Sequence, residues 1–342
     1  MAHDYQNEHR IAIDAVRQAA ALCRRVRSQL SPGVLEKRDR SPVTVADFGA
    51  QALVCRQLAE HFPAVPVIGE EDAAALRDEA NTAVREQVVA HVQAVVGEAS
   101  PAGGADVLGW IDHAGASAYS DRFWTLDPID GTKGFLRNEQ YAIALALVVE
   151  AQVTVAALAC PNLPVEPLNA EQQSDADASG PAGLVFTAVR GQGAFVTPLD
   201  GSDTTPRPIT VSDTRETAVA RFCESVESGH SSHSDSQTIA SQLNITRPPL
   251  RRDSQAKYAT VARGEADIYL RLPTRADYVE KIWDHAAGLL VVTEAGGRVT
   301  DIHGSRLDFS HGPTLASNRG VVVTNGHLHD AVLAAIESVG IA

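Results

Sequence analysis

The stretch WTLDPIDGTKGF, residues 124–135, predicts a strand that runs into two carboxylates and then opens a helix. Asp127 and Asp130 stand three residues apart, and Pro128 between them removes a backbone donor and fixes φ. Both carboxylates can therefore face one point beyond the strand end. Carboxylate oxygens are ligands that Mg²⁺ prefers, and helix N-terminal amides favour phosphate. An ordinary turn also fits this short motif, since Asp, Pro and Gly dominate turns.

The rest of the chain predicts two domains that are built differently. Apolar, β-rich runs such as residues 141–149 and 153–159 predict a mostly antiparallel sheet, which follows amphipathic helices. From residue 213 onward, predicted strands alternate with predicted helices, a pattern typical of α/β structure. We therefore expect an α+β N-terminal domain over residues 1–212 and an α/β C-terminal domain over residues 213–342.

Composition excludes several classes of protein. The 342 residues carry 29 Lys and Arg against 43 Asp and Glu, a net charge of −14, which disfavours a nucleic-acid binder. No apolar run approaches the roughly 18 residues of a membrane span. Residues 1–10 resemble neither a signal nor a transit peptide, and the four Cys are widely spaced, as in reduced proteins. We expect a cytoplasmic protein and, without long apolar heptads, a monomer.

Three further acids follow or begin predicted apolar elements. Asp47 and Asp284 each stand at the predicted start of a helix, and Glu70 follows a short apolar run. Taken singly, they fit ordinary helix N-caps or a solvated acidic turn. Together with Asp127 and Asp130 they predict a cluster, because like charges in one cleft repel one another unless cations bind between them.

Four motifs give the chain a family resemblance. SPVTVAD (41–47), GEED (69–72), LDPIDGTKGF (126–135) and WDHAAG (283–288), in this order and spacing, resemble the lithium-sensitive, Mg²⁺-dependent phosphatases of the inositol monophosphatase superfamily. Within it, the chain is most similar to the 3′(2′),5′-bisphosphate nucleotidases through VESGHSSH (226–233), RDSQAKY (252–258) and DIYLRLP (267–273). Residues 73–105 and 166–182 depart from that pattern. The resemblance implies a layered αβαβα sandwich of the inositol monophosphatase and fructose-1,6-bisphosphatase type.

The resemblance also implies a set of site residues. The metal ligands would be Glu70, Asp127, the carbonyl of Ile129, Asp130 and Asp284, holding two or three Mg²⁺ ions per site. Asp47 and Thr132 would accept protons from the attacking water. Substrate contacts would come from Thr132, His230, Ser254, Lys257, Arg271 and Asp284. Paired metals suit this hydrolysis, since one activates water and the other neutralises the leaving oxygen.

The implied reaction removes the 3′-phosphate of 3′-phosphoadenosine 5′-phosphate to give AMP and phosphate, with the corresponding sulfate donor as a further substrate and Li⁺ as an inhibitor. An alternative on the same fold is an inositol monophosphatase or inositol polyphosphate 1-phosphatase. A non-catalytic nucleotide-binding protein is a third hypothesis, disfavoured because every expected carboxylate is present. Arg251, Arg252 and Arg271 also fit surface charges, although spacing and resemblance together favour a role for Arg271. His230 with His233 lacks the further ligands of a zinc site.

Overall fold

The structure, a computed structural model, describes residues 4–29, 41–97, 102–168, 174–175, 182–200, 205–226, 233–275 and 277–341; the side chains of residues 41–43 and 233 lie outside that description. Its helices are α1 (Gln6–Ser28), α2 (Ser41–His61), α3 (Ala74–Arg77), α4 (Thr82–Val96), α5 (Gly104–Asp112), α6 (Thr132–Arg137), α7 (His233–Gln242), α8 (Ala256–Ala262), α9 (Ala286–Glu294) and α10 (His329–Val339). Its strands are β1 (Val67–Gly69), β2 (Arg122–Asp130), β3 (Ala142–Val149), β4 (Gln152–Pro164), β5 (Ala182–Val189), β6 (Ala194–Pro198), β7 (Arg207–Ile209), β8 (Phe222–Glu224), β9 (Leu250–Arg251), β10 (Ile268–Arg271), β11 (Arg298–Thr300) and β12 (Val321–Thr324).

The described strands form two sheets separated and covered by helices. The first sheet runs in the order β1-β2-β3-β4-β5-β6-β7 and is antiparallel apart from the β1–β2 pair. The second runs in the order β11-β12-β10-β8-β9. Helices α1 and α2 pack on one face of the first sheet, α8 and α9 lie between the sheets, and α7 and α10 cover the second. These five layers confirm the predicted fold class.

Strand β3 shows why the central strands are continuously apolar. Its side chains facing α1 and α2 are Ile143, Leu145 and Leu147, whereas those facing the helices between the sheets are Ala144, Ala146 and Val148. A strand covered on both faces has no solvent side on which polar residues would alternate with apolar ones. The predicted strand over residues 141–149 is therefore confirmed, one residue shorter at its start.

The prediction that Asp47 begins a helix is wrong. Helix α2 starts at Ser41, so Asp47 lies within it rather than at its N-cap. Pro42 misleads the sequence interpretation, because proline is tolerated in the first turn, where its missing N–H has no intrahelical partner. Asp47 therefore sits on a fixed helical backbone instead of on a loop.

The two sheets draw on different parts of the chain. The first takes its strands from residues 67–209 and the second from residues 222–324. One hydrophobic cluster nevertheless includes side chains from both sheets, and the domain ranges 1–212 and 213–342 stay a prediction. All four cysteines are buried free thiols. Among the described helices, none combines the length and apolar character needed to span a bilayer.

Arg252 is the centre of a buried ion-pair network and not a surface charge. Its side chain is 1% exposed, with Nη1 2.7 Å from Oε2 of Glu265 and Nη2 2.6 Å from Oδ1 of Asp175. Burial by itself lowers the pKa of Arg252, but Glu265 and Asp175 raise it above its usual value. Asp175 belongs to residues 166–182, which depart from the family pattern. Its ion pair with Arg252 therefore connects this region to the segment that follows β9.

Replacing Arg252 with methionine is expected to lower the free energy of unfolding by about 3–5 kcal/mol, because removal of one partner leaves buried carboxylate charge without compensation. The matched control is Arg251→Met. The Arg251 side chain is 49% exposed and 3.8 Å from Glu224, so its replacement is expected to cost about 1 kcal/mol or less. Urea unfolding measures both values, and equal losses for the two variants would contradict the assignment.

The burial of His329 leads us to expect a specific dependence of the free energy of unfolding on pH. It is buried, with Nε2 2.8 Å from Oγ1 of Thr300 and Nδ1 2.9 Å from Oγ1 of Thr324. Burial, followed by the charge of Arg298, lowers the pKa of His329 to about 4. Since the unfolded chain then binds the proton more readily, this residue's contribution to stability is present above about pH 6.5 and is lost as the pH falls toward 4.

The variant His329→Gln is therefore expected to be less stable than the wild type at pH 7.5, where it loses hydrogen bonds. The gap should narrow as the pH falls from 6.5 to 4.5, because glutamine takes up no proton in the unfolded state. Urea unfolding at a series of pH values measures the gap. A gap that stays constant over this range would show that His329 does not titrate differently on folding.

Candidate active site

Strand β2 carries two carboxylates to the edge of a cavity. It pairs with β3 at Asp127 and again at Asp130, with an irregular register between them. Pro128 lies in the irregular segment and has no N–H for the ladder, which favours such a break. The strand therefore continues through both carboxylates to Asp130, whereas the sequence pattern predicts its end just before them. Asp127 is 2% exposed and Asp130 is half-buried.

Most of the predicted site residues line one cavity of about 290 Å³. From the predicted set, it is lined by Glu70, Asp127, Ile129, Asp130, Thr132, Ser254, Lys257, Arg271 and Asp284. Sequence reasoning missed the further lining residues Gly131, Lys133, Ser225, Asp253 and Tyr278. Asp47 does not line the cavity, and His230 lies outside the described residues. Residues more than 200 positions apart in the chain thus share one pocket.

The acidic side of the cavity holds carboxylates that repel one another. Burial, then the charges of Glu70, Asp130 and Asp284, raise the pKa of Asp127 well above its usual value. Burial followed by the charge of Asp284 raises the pKa of Asp130 to about 6. Glu70 is open to solvent, yet reduced hydration in the cleft and the charge of Asp284 raise its pKa to about 7. The folded protein therefore holds these acids close together at an electrostatic cost.

Asp47 interacts with this acidic cluster electrostatically without lining the cavity. It is 8% exposed, and its charge contributes to the raised pKa of Asp127. Burial, then the charges of Glu71 and Glu70, raise the pKa of Asp47 itself well above the usual range. A carboxylate with a raised pKa at the edge of such a cluster is suited to accept a proton.

The cavity is also lined by two cations. Lys257 is 4% exposed, and its Nζ lies 5.1 Å from the centre of the Tyr269 ring. Burial lowers the pKa of Lys257, and the charge of Asp130 partly offsets this effect. Arg271 has Nε 2.8 Å from Oε2 of Glu280 and Nη2 3.4 Å from Oδ2 of Asp284. A phosphate in the cavity would therefore meet positive charge as well as the acids.

Glu280 is an acid that the sequence analysis did not select. Across the described ranges, its carboxylate forms the one trio of close acid and histidine ligand atoms, with Asp284 and His285, all within 4.8 Å. The trio does not resemble a free metal site, because Arg271 contacts both carboxylates. The Nε2 atom of His285 lies 3.1 Å from Oε2 of Glu280, which extends the ion pairs of the guanidinium to the His285 ring.

Two loops meet closely at the cavity wall. Gly131 has φ +88°, and a Cβ added there would lie 2.9 Å from Cβ of Ser254. Ser254 itself has φ +65°, a left-handed conformation that is strained for a non-glycine residue. Such strain often accompanies functional sites, and here it turns the segment after Asp253 toward β2. The glycine of the DPIDGT motif is thus needed for this close approach.

The cavity fits a hard divalent cation. The Oδ1 atom of Asp127 is buried and has no hydrogen-bond partner. An unpaired buried carboxylate oxygen is costly, and neighbouring carboxylates make it more so. Mg²⁺ prefers oxygen ligands of this kind, and its charge would offset their repulsion. The residues that line the cavity offer carboxylate, hydroxyl and backbone oxygen atoms, with no thiol or imidazole among them.

Comparison with known sequences and structures identifies the class of protein to which this fold and cavity belong. The sequence pattern of the inositol monophosphatase family matches residues 4–340, nearly the whole chain. The chain belongs to the inositol monophosphatase family. Two solved structures share its fold: an inositol monophosphatase from Anabaena, at 20% identity with TM-score 0.58, covering 98% of this chain and 97% of that one; and one from Zymomonas mobilis, at 17% identity with TM-score 0.62, covering 98% and 99%.

Similar curated proteins carry a narrower name. A 3′(2′),5′-bisphosphate nucleotidase from Emericella nidulans is 43% identical, over 98% of this chain and 99% of the relative. A protein of the same name from Schizosaccharomyces pombe is 42% identical, over 98% of this chain and 96% of the relative. The resemblance drawn from the sequence motifs is therefore confirmed at the level of the family and of these relatives.

Proposed function

We propose that this protein is a Mg²⁺-dependent 3′(2′),5′-bisphosphate nucleotidase that converts 3′-phosphoadenosine 5′-phosphate to AMP and phosphate. The observation that carries the proposal is the single cavity that is lined both by the acids Glu70, Asp127, Asp130 and Asp284 and by the cations Lys257 and Arg271. The acids suit the cations that assist phosphate hydrolysis, and the buried lysine suits a second phosphate that is held but not cleaved. The names of the relatives support the same substrate class.

The acidic side is proposed to hold two or three Mg²⁺ ions. Glu70, Asp127 and the Ile129 carbonyl would hold the first; Asp127, Asp130 and Asp284 the second; and Glu70 would share a third. Bound Mg²⁺ supplies an activated water and neutralises charge on the leaving oxygen. Asp127 belongs to both of the first two ligand sets, so it is the residue on which the proposal depends most.

The chain's own side chains are proposed to bind the substrate and move the proton. Thr132 lies at the cavity with Oγ1 3.5 Å from the Ile129 carbonyl, and its hydroxyl would relay a proton toward Asp47. Lys257, Arg271 and Ser254 would hold the 5′-phosphate through charge-assisted hydrogen bonds. His230 is proposed as a further substrate contact, and Thr132 and Asp284 would also contact the nucleotide.

A substrate panel read by phosphate release tests the proposed specificity. It compares 3′-phosphoadenosine 5′-phosphate, its sulfated analogue, inositol 1-phosphate and inositol 1,4-bisphosphate at equal Mg²⁺. The highest kcat/KM is expected for a nucleotide carrying two phosphoryl-type groups. Its second group would engage Lys257 and Arg271, which inositol 1-phosphate cannot do, and the similarity to bisphosphate nucleotidases favours it over inositol 1,4-bisphosphate. A preference for either inositol phosphate would overturn the nucleotide assignment and favour the alternative activity.

Inhibition by Li⁺ is a further expectation of this proposal. Li⁺ carries a single charge, so in the second or third cation position it would compensate the carboxylates less well than Mg²⁺. Phosphate release at fixed Mg²⁺ is expected to fall as LiCl is added, with NaCl at the same ionic strength as the control. A rate that is unchanged up to submolar Li⁺ would contradict the expectation.

The cellular setting proposed for this activity is the cytoplasm, and the assembly a monomer. The support for a reducing compartment is that Cys23, Cys55, Cys160 and Cys223 are buried as free thiols. Size-exclusion chromatography with light scattering tests the assembly. A mass near 36.3 kDa is expected, and a mass twice as large would contradict it.

A further inference from the structure

Gln255 bridges three backbone segments that surround the acidic cluster. Its side chain is 1% exposed. The backbone N–H of Gln255 donates to Oδ2 of Asp130 at 2.6 Å, its Nε2 donates to the carbonyl of Trp283 at 2.8 Å, and its Oε1 accepts from the N–H of Gly288 at 2.9 Å. One residue therefore contacts a carboxylate from β2 and both sides of the turn that carries Asp284.

This bridge spans the two parts of the molecule that supply the acids. Asp130 ends β2 of the first sheet, whereas Asp284 ends the 3₁₀ turn Ile282–Asp284 that precedes α9. The two carboxylates line the same cavity, where like charges repel each other. Without a fixed connection, repulsion would favour a wider separation of the two acids. The hydrogen bonds of Gln255 oppose that movement.

We propose that Gln255 is a positioning residue that fixes Asp130 relative to Asp284 and thereby sets the affinity of the site for Mg²⁺. The inference rests on the proposed function, because it assigns these two acids to one cation. Residues that orient metal ligands typically change metal affinity or activity by about 10–100-fold when they are replaced. Gln255 itself touches neither the substrate nor the cation, since it does not line the cavity.

The test compares Gln255→Met with the wild type. Methionine keeps the length and volume of the side chain but makes neither amide hydrogen bond. We expect the Mg²⁺ concentration for half-maximal activity to rise about 10-fold or more, and the Mg²⁺ affinity measured by calorimetry to fall by a similar factor. The KM for 3′-phosphoadenosine 5′-phosphate at saturating Mg²⁺ should change less than twofold. If Gln255 had only a structural role, its replacement would lower the melting temperature without weakening Mg²⁺ binding more than nucleotide binding.

The matched control is Asn325→Leu. Asn325 is also a 1% exposed amide that bridges backbone segments, through Nδ2 to the Thr214 carbonyl at 2.8 Å and Oδ1 to the Leu328 N–H at 3.2 Å, but it does not line the cavity. The variant Asn325→Leu should lower the melting temperature while leaving the Mg²⁺ affinity unchanged. If Gln255→Met does not fold, Gln255→Asn serves instead, because its shorter amide cannot reach Trp283 and Gly288 together.

The outcomes separate the two proposals. Equal Mg²⁺ affinity in the wild type and the Gln255 variants would overturn the role of Gln255 and leave the magnesium site intact. Equal loss of affinity in Asn325→Leu would also overturn it, because the effect would then follow from general destabilisation. Calorimetry that detects no Mg²⁺ binding in the wild type would instead contradict the proposed function, and with it the role of Gln255.

Discussion

Replacing Asp127 with asparagine is expected to reduce phosphate release from 3′-phosphoadenosine 5′-phosphate by at least about 10³-fold. Metal ions contribute several kcal/mol of charge stabilisation in such reactions, and each 1.36 kcal/mol corresponds to a factor of ten in rate. Asp127 is proposed as a ligand of two cations, and its Oδ1 atom is buried without a partner in the chain. An amide of the same shape keeps the packing but removes the charge that would bind them.

The same variant is expected to be more stable than the wild type in the absence of metal. Asp127→Asn removes one charge from a cluster in which Glu70, Asp130 and Asp284 all raise the pKa of the Asp127 carboxyl. Its melting temperature without Mg²⁺ should therefore rise, whereas the increase that Mg²⁺ gives the wild type should disappear. Differential scanning calorimetry with and without MgCl₂ measures both effects.

Asp301→Asn is the control for loss of a buried carboxylate. Asp301 is 2% exposed and accepts hydrogen bonds from the backbone N–H groups of His303 and Ser305, but it does not line the cavity. The variant Asp301→Asn should lower the free energy of unfolding and leave the specific activity of the folded protein nearly unchanged. Asp127→Asn with wild-type activity, or with a full Mg²⁺-induced stabilisation, would contradict the assigned cation site.

Replacing Lys257 with methionine is expected to lower kcat/KM for 3′-phosphoadenosine 5′-phosphate by about 10²-fold, mainly through KM. Truncating one partner of a buried charge pair costs about 2–5 kcal/mol, and each 1.4 kcal/mol is tenfold. Adenosine 3′-monophosphate, which lacks the 5′-phosphate, should be affected only a few-fold. Folding should survive, because a methionine is easier to bury than an ammonium group.

Lys281→Met is the matched control for loss of a lysine near the site. The Lys281 Nζ lies 5.4 Å from the centre of the ring of Trp283, the residue that precedes Asp284. Lys281 does not line the cavity. Steady-state kinetics on both nucleotides should resemble the wild type. Equal losses of kcat/KM on the two nucleotides in Lys257→Met would show that Lys257 does not hold the 5′-phosphate.

Local patterns predicted the central strands and the acidic cluster of the cavity, whereas the layered sandwich and the substrate contacts were implied by the family resemblance. Continuous apolar runs indicated strands, of which β3 is one, and acids at the ends of apolar elements indicated a cluster. Asp47 was misplaced at a helix start, since a proline in the first turn looks like a breaker when only the sequence is read. The strand β2 was ended too early for a related reason, because Pro128 interrupts its pairing without ending it.

The residues that hold the site together could not be predicted, because their partners are distant in the chain. Arg252 carries no local signal of burial, and only Glu265 and Asp175 explain it. Gln255 is an uncharged residue in no catalytic pattern, yet it connects Asp130 with the turn of Asp284. Glu280 likewise gains its role only where the fold brings it against Arg271. Such contacts follow from tertiary structure rather than from periodicity or spacing.

The most direct test of the proposed activity is to identify the products formed from 3′-phosphoadenosine 5′-phosphate, by ³¹P NMR, with MgCl₂ and with EDTA. We predict that Mg²⁺ gives AMP with its 5′-phosphate intact and one equivalent of inorganic phosphate, whereas EDTA abolishes turnover. Formation of adenosine 3′-monophosphate, or turnover that does not change when EDTA replaces Mg²⁺, would contradict a metal-dependent 3′-phosphatase.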